Sequence, residues 1–251
     1  VMLAKYGDLL YTSHNQFGFE KGHSTGMAVF ALKNVIEYCL STSSPVYICY
    51  VDASKAFDRV NHCILLKKLE QRNIPHAIVN LIMFWYRNQQ FQVRWGTSLS
   101  APFGSSNGVR QGGILSPYLF NLYIDELSHK LNASNLGCHI NGHSFNNIVY
   151  ADDMVLLATS PNSLQKLLNI CSLYAEDHDI VYNVKKSKCM TIKPKLYRNI
   201  SVPLLFINVC PLDQMSTYTY LGVVMNDNFY HPLSFTFRIC SINITKRDSL
   251  N

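Results

Sequence analysis

The chain has 251 residues, 48% of them hydrophobic and 12% aromatic, a composition that supports a buried core and excludes disordered or fibrous classes. Its net charge of +6 is modest, no apolar run reaches the roughly 18 residues of a membrane span, and residues 1–25 carry no signal-peptide pattern. Eight cysteines are scattered without a CxxC pair, which suits reduced thiols in an intracellular, unsecreted protein and argues against a zinc knuckle or a disulfide scaffold.

The first residue is Val1, as in a fragment of a longer protein, and three N-x-S/T sequons, at Asn132, Asn199 and Asn243, are read as chance. Ser24 and Thr25 stand where a helix cap would, ahead of Val29, Leu32, Ile36, Cys39 and Leu40, so a helix is predicted over about 25–40. "SPVYICYVD" then reads as a strand buried on both faces, with Asp52 at its carboxyl end. Helical spacing returns through Phe57, Val60, Ile64, Leu65 and Leu69, and another helix follows near Pro75. "FQVRWGTSLSAPF" predicts a hairpin around Gly96. "SNGVRQGGILSP" leads into a helix capped by Ser116 with Pro117 first, and its apolar face runs through Phe120, Tyr123, Leu127 and Leu131. "SPNSLQKLLNICSLYAED" is an amphipathic helix begun by another Ser-Pro, Ser160 and Pro161, and short strands are expected near 188–193, 203–209 and 217–225. The order predicts an α+β fold on an antiparallel sheet.

Asp152 and Asp153 lie between the apolar runs "NNIVYA" and "MVLLA", read as the arms of a hairpin with the acids at its tip. Asp-Asp is a poor turn dipeptide, because Asn-Gly or Asp-Gly supplies the positive φ such turns need. Two carboxylates in apolar surroundings repel and resist desolvation, so one takes up a proton or both face a cation. Hard oxygen ligands suit Mg²⁺ or Mn²⁺. With Asp52 as third acid they would clamp two ions roughly 3.5–4 Å apart, the device of in-line phosphoryl displacement. The competing readings are an exposed acidic turn with a separate capping Asp, and an aspartic-protease dyad, whose acids come from separate loops. Between Lys185 and Arg198 six basic residues occur with no acid, which suits a polyanion or simply a solvated face.

"VDASKAFDRVNH", "GVRQGGILSPYLFNLYID", "YADDMVLLA", "NVKKSKCM" and "YTYLGVVM" resemble, in order and spacing, motifs A to E of reverse transcriptases. "QFGFEKGHST" resembles the segment preceding them in non-long-terminal-repeat retrotransposons of the LINE and jockey type. The resemblance implies a right-hand polymerase palm over 46–226, part of the fingers over 1–45, and a divergent tail over 227–251 where a thumb would begin. It implies an RNA-directed DNA polymerase that uses two Mg²⁺ (or Mn²⁺) ions, an RNA template, a DNA primer and deoxynucleoside triphosphates. Asp52 and Asp152 would hold the ions and Asp153 support them. Phe57 would be the aromatic gate against a ribose 2′-hydroxyl, or a core residue of its helix, or both; Asp58 is a first-turn acid. Arg110, Gln111, Gly112 and Tyr150 would face the incoming nucleotide. Lys186, with Lys188 as rival, would protonate the departing pyrophosphate. Tyr220, Leu221 and Gly222 would grip the primer. Lys21 and His23 are the only plausible substitutes for the triphosphate-binding basic residues of the upstream fingers, and an endonuclease and a full thumb would lie elsewhere in a longer polyprotein. Copying at a chromosomal target would require nuclear access, and residence in nucleus or cytoplasm stays open. An inactive nucleic-acid-binding remnant is the alternative. An RNA-directed RNA polymerase is disfavoured by the gate and by the absence of Gly before the paired acids.

Overall fold

The computed structural model describes residues 2–194 and 202–228. Lys195, Arg198, the sequons at Asn199 and Asn243, and the tail from 229 onward lie outside them. In chain order the elements are α1 (Met2–Tyr6), a 3-10 turn (Gly7–Leu10), α2 (Thr25–Ser41), β1 (Val46–Asp52), α3 (Ala56–Arg59), α4 (His62–Gln71) and α5 (His76–Arg87). Four two-residue strands follow, β2 (Gln90–Phe91), β3 (Arg94–Trp95), β4 (Ser98–Leu99) and β5 (Phe103–Gly104), then α6 (Ser116–Ala133). The hairpin strands β6 (Cys138–Ile140) and β7 (His143–Phe145) precede β8 (Asn147–Tyr150), β9 (Asp153–Ala158) and α7 (Pro161–Asp177). The last are β10 (Lys188–Ile192), β11 (Leu205–Ile207), β12 (Cys210–Gln214), β13 (Thr217–Tyr220) and β14 (Val223–Asn226).

Six strands form one sheet in the order β11-β12-β10-β1-β9-β8, and only the β10–β12 pair is parallel, so the α+β, antiparallel expectation holds. β1 is central because every residue from Val46 to Val51 is buried. Its side chains alternate between two cores: Tyr47, Cys49 and Val51 face α6 and α7, whereas Val46, Ile48 and Tyr50 face α2. A three-layer domain results. Leu32 and Ile36 of α2, fully buried on one side, and Leu119 and Leu167 on the other each contribute about 1.5–3 kcal/mol of transfer free energy.

The caps at Ser24 and Ser160 form as expected, each hydroxyl accepting from the backbone N–H three residues on. The run 56–71 is not one helix. It breaks at Val60 and Asn61, where Asn61 Oδ1 caps α4 by accepting from Cys63 and Ile64 N–H. The break lets the 107–109 loop bond to α3: Gly108 N–H donates to Val60 O and Val109 N–H to Phe57 O. Ser116 is likewise not a cap but lies inside α6, donating its hydroxyl to Arg110 O, with Leu115 at the cap position.

The N-terminal segment is bound to the domain through a buried acid. Asp125 of α6, 2% exposed at its side chain, accepts from Ser13 N–H at 2.6 Å and Arg72 Nη2 at 2.6 Å, with His129 Nε2 at 3.2 Å. Beyond it, residues 15–17 run beside β8: Phe17 N–H donates to Val149 O and Val149 N–H to Asn15 O. Asn132, the first residue of one sequon, donates its amide to Asn15 Oδ1.

Candidate active site

Asp52 and Asp153 are direct partners across β1 and β9, and Tyr150 stands opposite Asp153 across β8 and β9. The hairpin turn is Ala151–Asp152, so the tip holds one acid of the pair and the second opens β9. Ala151, at φ 56°, takes the left-handed conformation that an Asp-Asp turn was expected to need. Strand pairing thus brings together three carboxylates from two distant stretches of chain. Directly opposed like charges destabilise an antiparallel pair. Both Asp152 and Asp153 keep exposed surface, and partial desolvation against the sheet raises the pKa of each, neighbouring carboxylates raising them further with Lys186 opposing.

The backbone of Asp52 is fixed by the segment after α7. Its N–H donates to the fully buried Ser187 Oγ at 3.1 Å, and its carbonyl accepts from Asn183 N–H at 2.8 Å. Lys186 N–H in turn donates to Asn183 O, closing a turn that leaves Lys186 Nζ 3.8 Å from Asp52 Oδ1. Lys188 is engaged elsewhere, in an ion pair with Asp213 at 2.5 Å.

Phe57 is half-buried and stacks on Phe120 of α6, centroids 4.4 Å apart. The loop with Arg110, Gln111 and Gly112 is exposed; Gln111 Nε2 donates to Asp58 Oδ1 at 3.0 Å. Gly108, at φ 96°, is pressed so close to the backbone of Asp58 that a Cβ there would come within 2.9 Å of its carbonyl oxygen. Tyr220, Leu221 and Gly222 make the β13–β14 turn, with Tyr220 itself 3% exposed and Leu221 and Gly222 at positive φ. Lys21 and His23 are exposed, and His23 packs against Phe17.

Two neighbours of the acids were not singled out from sequence. Tyr218 stacks on Tyr50 at 4.1 Å, and its pKa is raised by burial and by the Asp153 and Asp52 carboxylates. The period-2 pattern of "YTYLG" puts Tyr218 and Tyr220 on one face, a legible signal. Gln16 is the second; it opens the "QFGFEKGHST" stretch, whose resemblance marks the segment but assigns this residue no role.

Among the described residues, no three His, Cys, Asp or Glu side chains are gathered closely enough to hold a metal ion by themselves. Mg²⁺ needs no such cage, since it binds through one or two carboxylates and completes its octahedron with water and substrate phosphates. The donor set, oxygen only and crowded with negative charge, fits such an ion.

The raised pKa values give a pH test of the metal-free chain. Between the unfolded carboxylate pKa of about 4 and the raised folded values, the folded state binds more protons than the unfolded one, so stability falls as pH rises. His178, its pKa lowered by burial, gives the opposite slope in the same range, so the test is the difference between urea midpoints with and without Mg²⁺ from pH 4 to 7, which is expected to widen as pH rises; an Mg²⁺-independent profile would contradict a cation at this site.

The sequence signature of the family described as "Reverse transcriptase (RNA-dependent DNA polymerase)" matches residues 4–225, and the chain belongs to that family. Its curated relatives include the Pol polyprotein of the type-1 retrotransposable element R2 of Nasonia vitripennis, 29% identical over 77% of this chain and 19% of that protein. The probable RNA-directed DNA polymerase from transposon X-element of Drosophila melanogaster is 29% identical over 86% of this chain and 23% of its own. The RNA-directed DNA polymerase from mobile element jockey of Drosophila funebris is 26% identical over 89% of this chain and 24% of its own. The chain therefore spans about a fifth to a quarter of these relatives. Among solved structures, apo telomerase from Candida tropicalis superposes with a TM-score of 0.61 at 12% identity, covering 90% of this chain and 42% of that one. The shared fold is the right-hand polymerase fold. No helix among the described residues is long and apolar enough to cross a membrane.

Proposed function

We propose that the chain is the palm, with part of the fingers, of an RNA-directed DNA polymerase of the retrotransposon type. The observation that carries this is the pairing of Asp52 with Asp153 beside Asp152 in the adjoining turn. Residues 46–226 are assigned to the palm, 1–45 to the fingers, and 227–251 to the start of a thumb. Asp52 and Asp152 hold two Mg²⁺ (or Mn²⁺) ions, with Asp153 supporting them. Ions held there would supply an anchor for the triphosphate and a lowered pKa for the primer 3′-hydroxyl. The chain's own groups set geometry and proton traffic. Arg110, Gln111 and Gly112 lie on an exposed loop free to meet a nucleotide, and Tyr150 borders Asp153. Lys186 Nζ, beside Asp52, donates a proton to the departing pyrophosphate; Lys188, held by Asp213, does not. The turn at Tyr220–Gly222 meets the primer through Leu221 and Gly222, because the Tyr220 ring is buried. The substrates are an RNA template, a DNA primer and deoxynucleoside triphosphates. Endonuclease and thumb would come from other segments of a polyprotein, and action on chromosomal DNA requires entry to the nucleus.

Phe57 excludes ribonucleotides by crowding the 2′-hydroxyl while its stack on Phe120 fixes the ring. Phe57→Val is expected to narrow the preference for deoxynucleotides by roughly 10–200-fold, the range for small steric differences in an apolar pocket; competition between dATP and ATP in single-nucleotide extension reads it.

The decisive experiment is primer extension on RNA with deoxynucleotides and Mg²⁺, comparing this chain with Asp152→Ala. Product from the parent alone supports the proposal. No product from the parent, with RNA–DNA hybrid binding intact, points instead to an inactive nucleic-acid-binding remnant.

A further inference from the structure

The turn that carries Asp152 is held from outside its own hairpin. Gln16, 3% exposed, accepts two backbone N–H groups on one carboxamide oxygen: Gly18 at 2.8 Å and Ala151 at 3.0 Å. Ala151 is a non-glycine residue at φ 56° and immediately precedes Asp152. Its N–H lies at the hairpin tip, where a two-residue turn offers no ladder partner, and a buried donor left unpaired is costly. The left-handed backbone costs more still for a residue with a Cβ.

The same segment leaves no room for movement. A Cβ on Gly18 would lie 2.4 Å from Ala151 N, closer than real Cβ atoms approach, and a tight 3.0 Å from Tyr150 C. Gly18 carbonyl is itself fixed by Asn121 Nδ2 of α6 at 2.7 Å. Backbone bonds from Asn15 and Phe17 to Val149 seat the segment on β8.

We propose that Gln16 is a positioning residue that holds the strained Ala151 turn and thereby aims the Asp152 carboxylate. The stretch "NQFG" thus serves as a brace between α6 and the acid-bearing hairpin. The inference rests on the metal-holding reading of Asp152, and a buried strut of the fold is its rival. Misplacement of a reacting or ligating group by about 1 Å is enough to cost on the order of 10²-fold in rate, so a backbone brace of this kind has leverage on the site.

The test is Gln16→Met, which keeps length and apolar bulk and removes the acceptor, measured for Mn²⁺ affinity through the electron paramagnetic resonance signal of free Mn²⁺. Expected is a loss of about tenfold in Mn²⁺ affinity, with a matching rise in the Mg²⁺ concentration for half-maximal extension and a nucleotide KM changed less than about threefold. Adding Ala151→Gly, which removes the cost of the left-handed backbone, is expected to return affinity to within about threefold of the parent. If Gln16→Met alone does not fold, the double variant is expected to fold and bind. Unchanged Mn²⁺ affinity in a folded Gln16→Met chain, or no rescue by Ala151→Gly, overturns the inference and leaves the polymerase reading standing. A parent chain that binds no Mn²⁺ overturns the metal reading and this inference with it.

Discussion

Asp52→Asn is expected to abolish Mg²⁺-dependent extension, by on the order of 10³–10⁴-fold, while raising the melting temperature of the metal-free chain. The first effect follows from losing one carboxylate of a two-metal clamp, several kcal/mol of charge stabilisation, at about 1.36 kcal/mol per tenfold in rate. The second follows from geometry: Asp52 faces Asp153 directly across two strands, Asp152 is next to it, and Lys186, the cation paired with Asp52 among the described residues, is 3.8 Å from it and exposed. An exposed pair at that distance offsets little. Removing one of the opposed charges should stabilise the sheet by about 1 kcal/mol or less, a rise of roughly 2–4 °C at most for a chain of this size. Single-turnover extension and thermal melts on the same preparations check both signs. Loss of activity together with a lower melting temperature would mean that Asp52 is a structural residue whose removal unfolds the centre of β1.

Arg72→Met is expected to cost about 3–5 kcal/mol of stability, the range for leaving a buried charge without its partner. Asp125 is 2% exposed at its side chain and would keep only Ser13 N–H and the exposed His129 ring. The loss should reach the active site, because Ser13 begins the stretch that bonds to β8 and to the Ala151 turn. Pairing Arg72→Met with Asp125→Asn is expected to restore most of the stability, since a neutral amide oxygen still accepts from Ser13. Urea unfolding at neutral pH gives the comparison; equal losses in the single and double variants would show that the contacts of the arginine stem, and not its charge, matter.

How much of this was readable from sequence depended on the range of the interaction involved. Ser24 and Ser160 were legible caps because capping is decided within four residues. β1 was legible because burial on both faces leaves an uninterrupted apolar run. The acids were legible as chemistry, yet the turn was misplaced by one residue: Asp-Asp looks like the tip, whereas Tyr150 pairs with Asp153 and the tip is Ala151–Asp152. The break at Asn61 was hidden because Phe57, Val60 and Ile64 keep helical spacing through it, and the loop at 107–109 that requires the break lies some fifty residues further on. The β6–β7 hairpin had a local signal that was overlooked, Asn141–Gly142 at φ 50° and 82°, the pattern of a type I′ turn. Gln16 stood in a stretch legible by resemblance, "QFGFEKGHST", but its role was hidden, since its partner, Ala151 N–H, is brought to it only by the finished fold.

The central position of β1 also governs when the acidic centre can come into being. The residue paired with Asp52 lies roughly a hundred positions later, and the turn that clamps its backbone later still. Pairings of such long sequence separation close slowly, and during synthesis β1 emerges with both edges bare until β9 and β10 have followed. Such a nascent strand, apolar on both faces, is a template for mispairing with neighbouring chains. Premature release ahead of β9 therefore leaves β1 with both edges bare and Asp52 without its cross-strand partner, and release between β9 and β10 still leaves one edge bare, so truncation should yield insoluble chain.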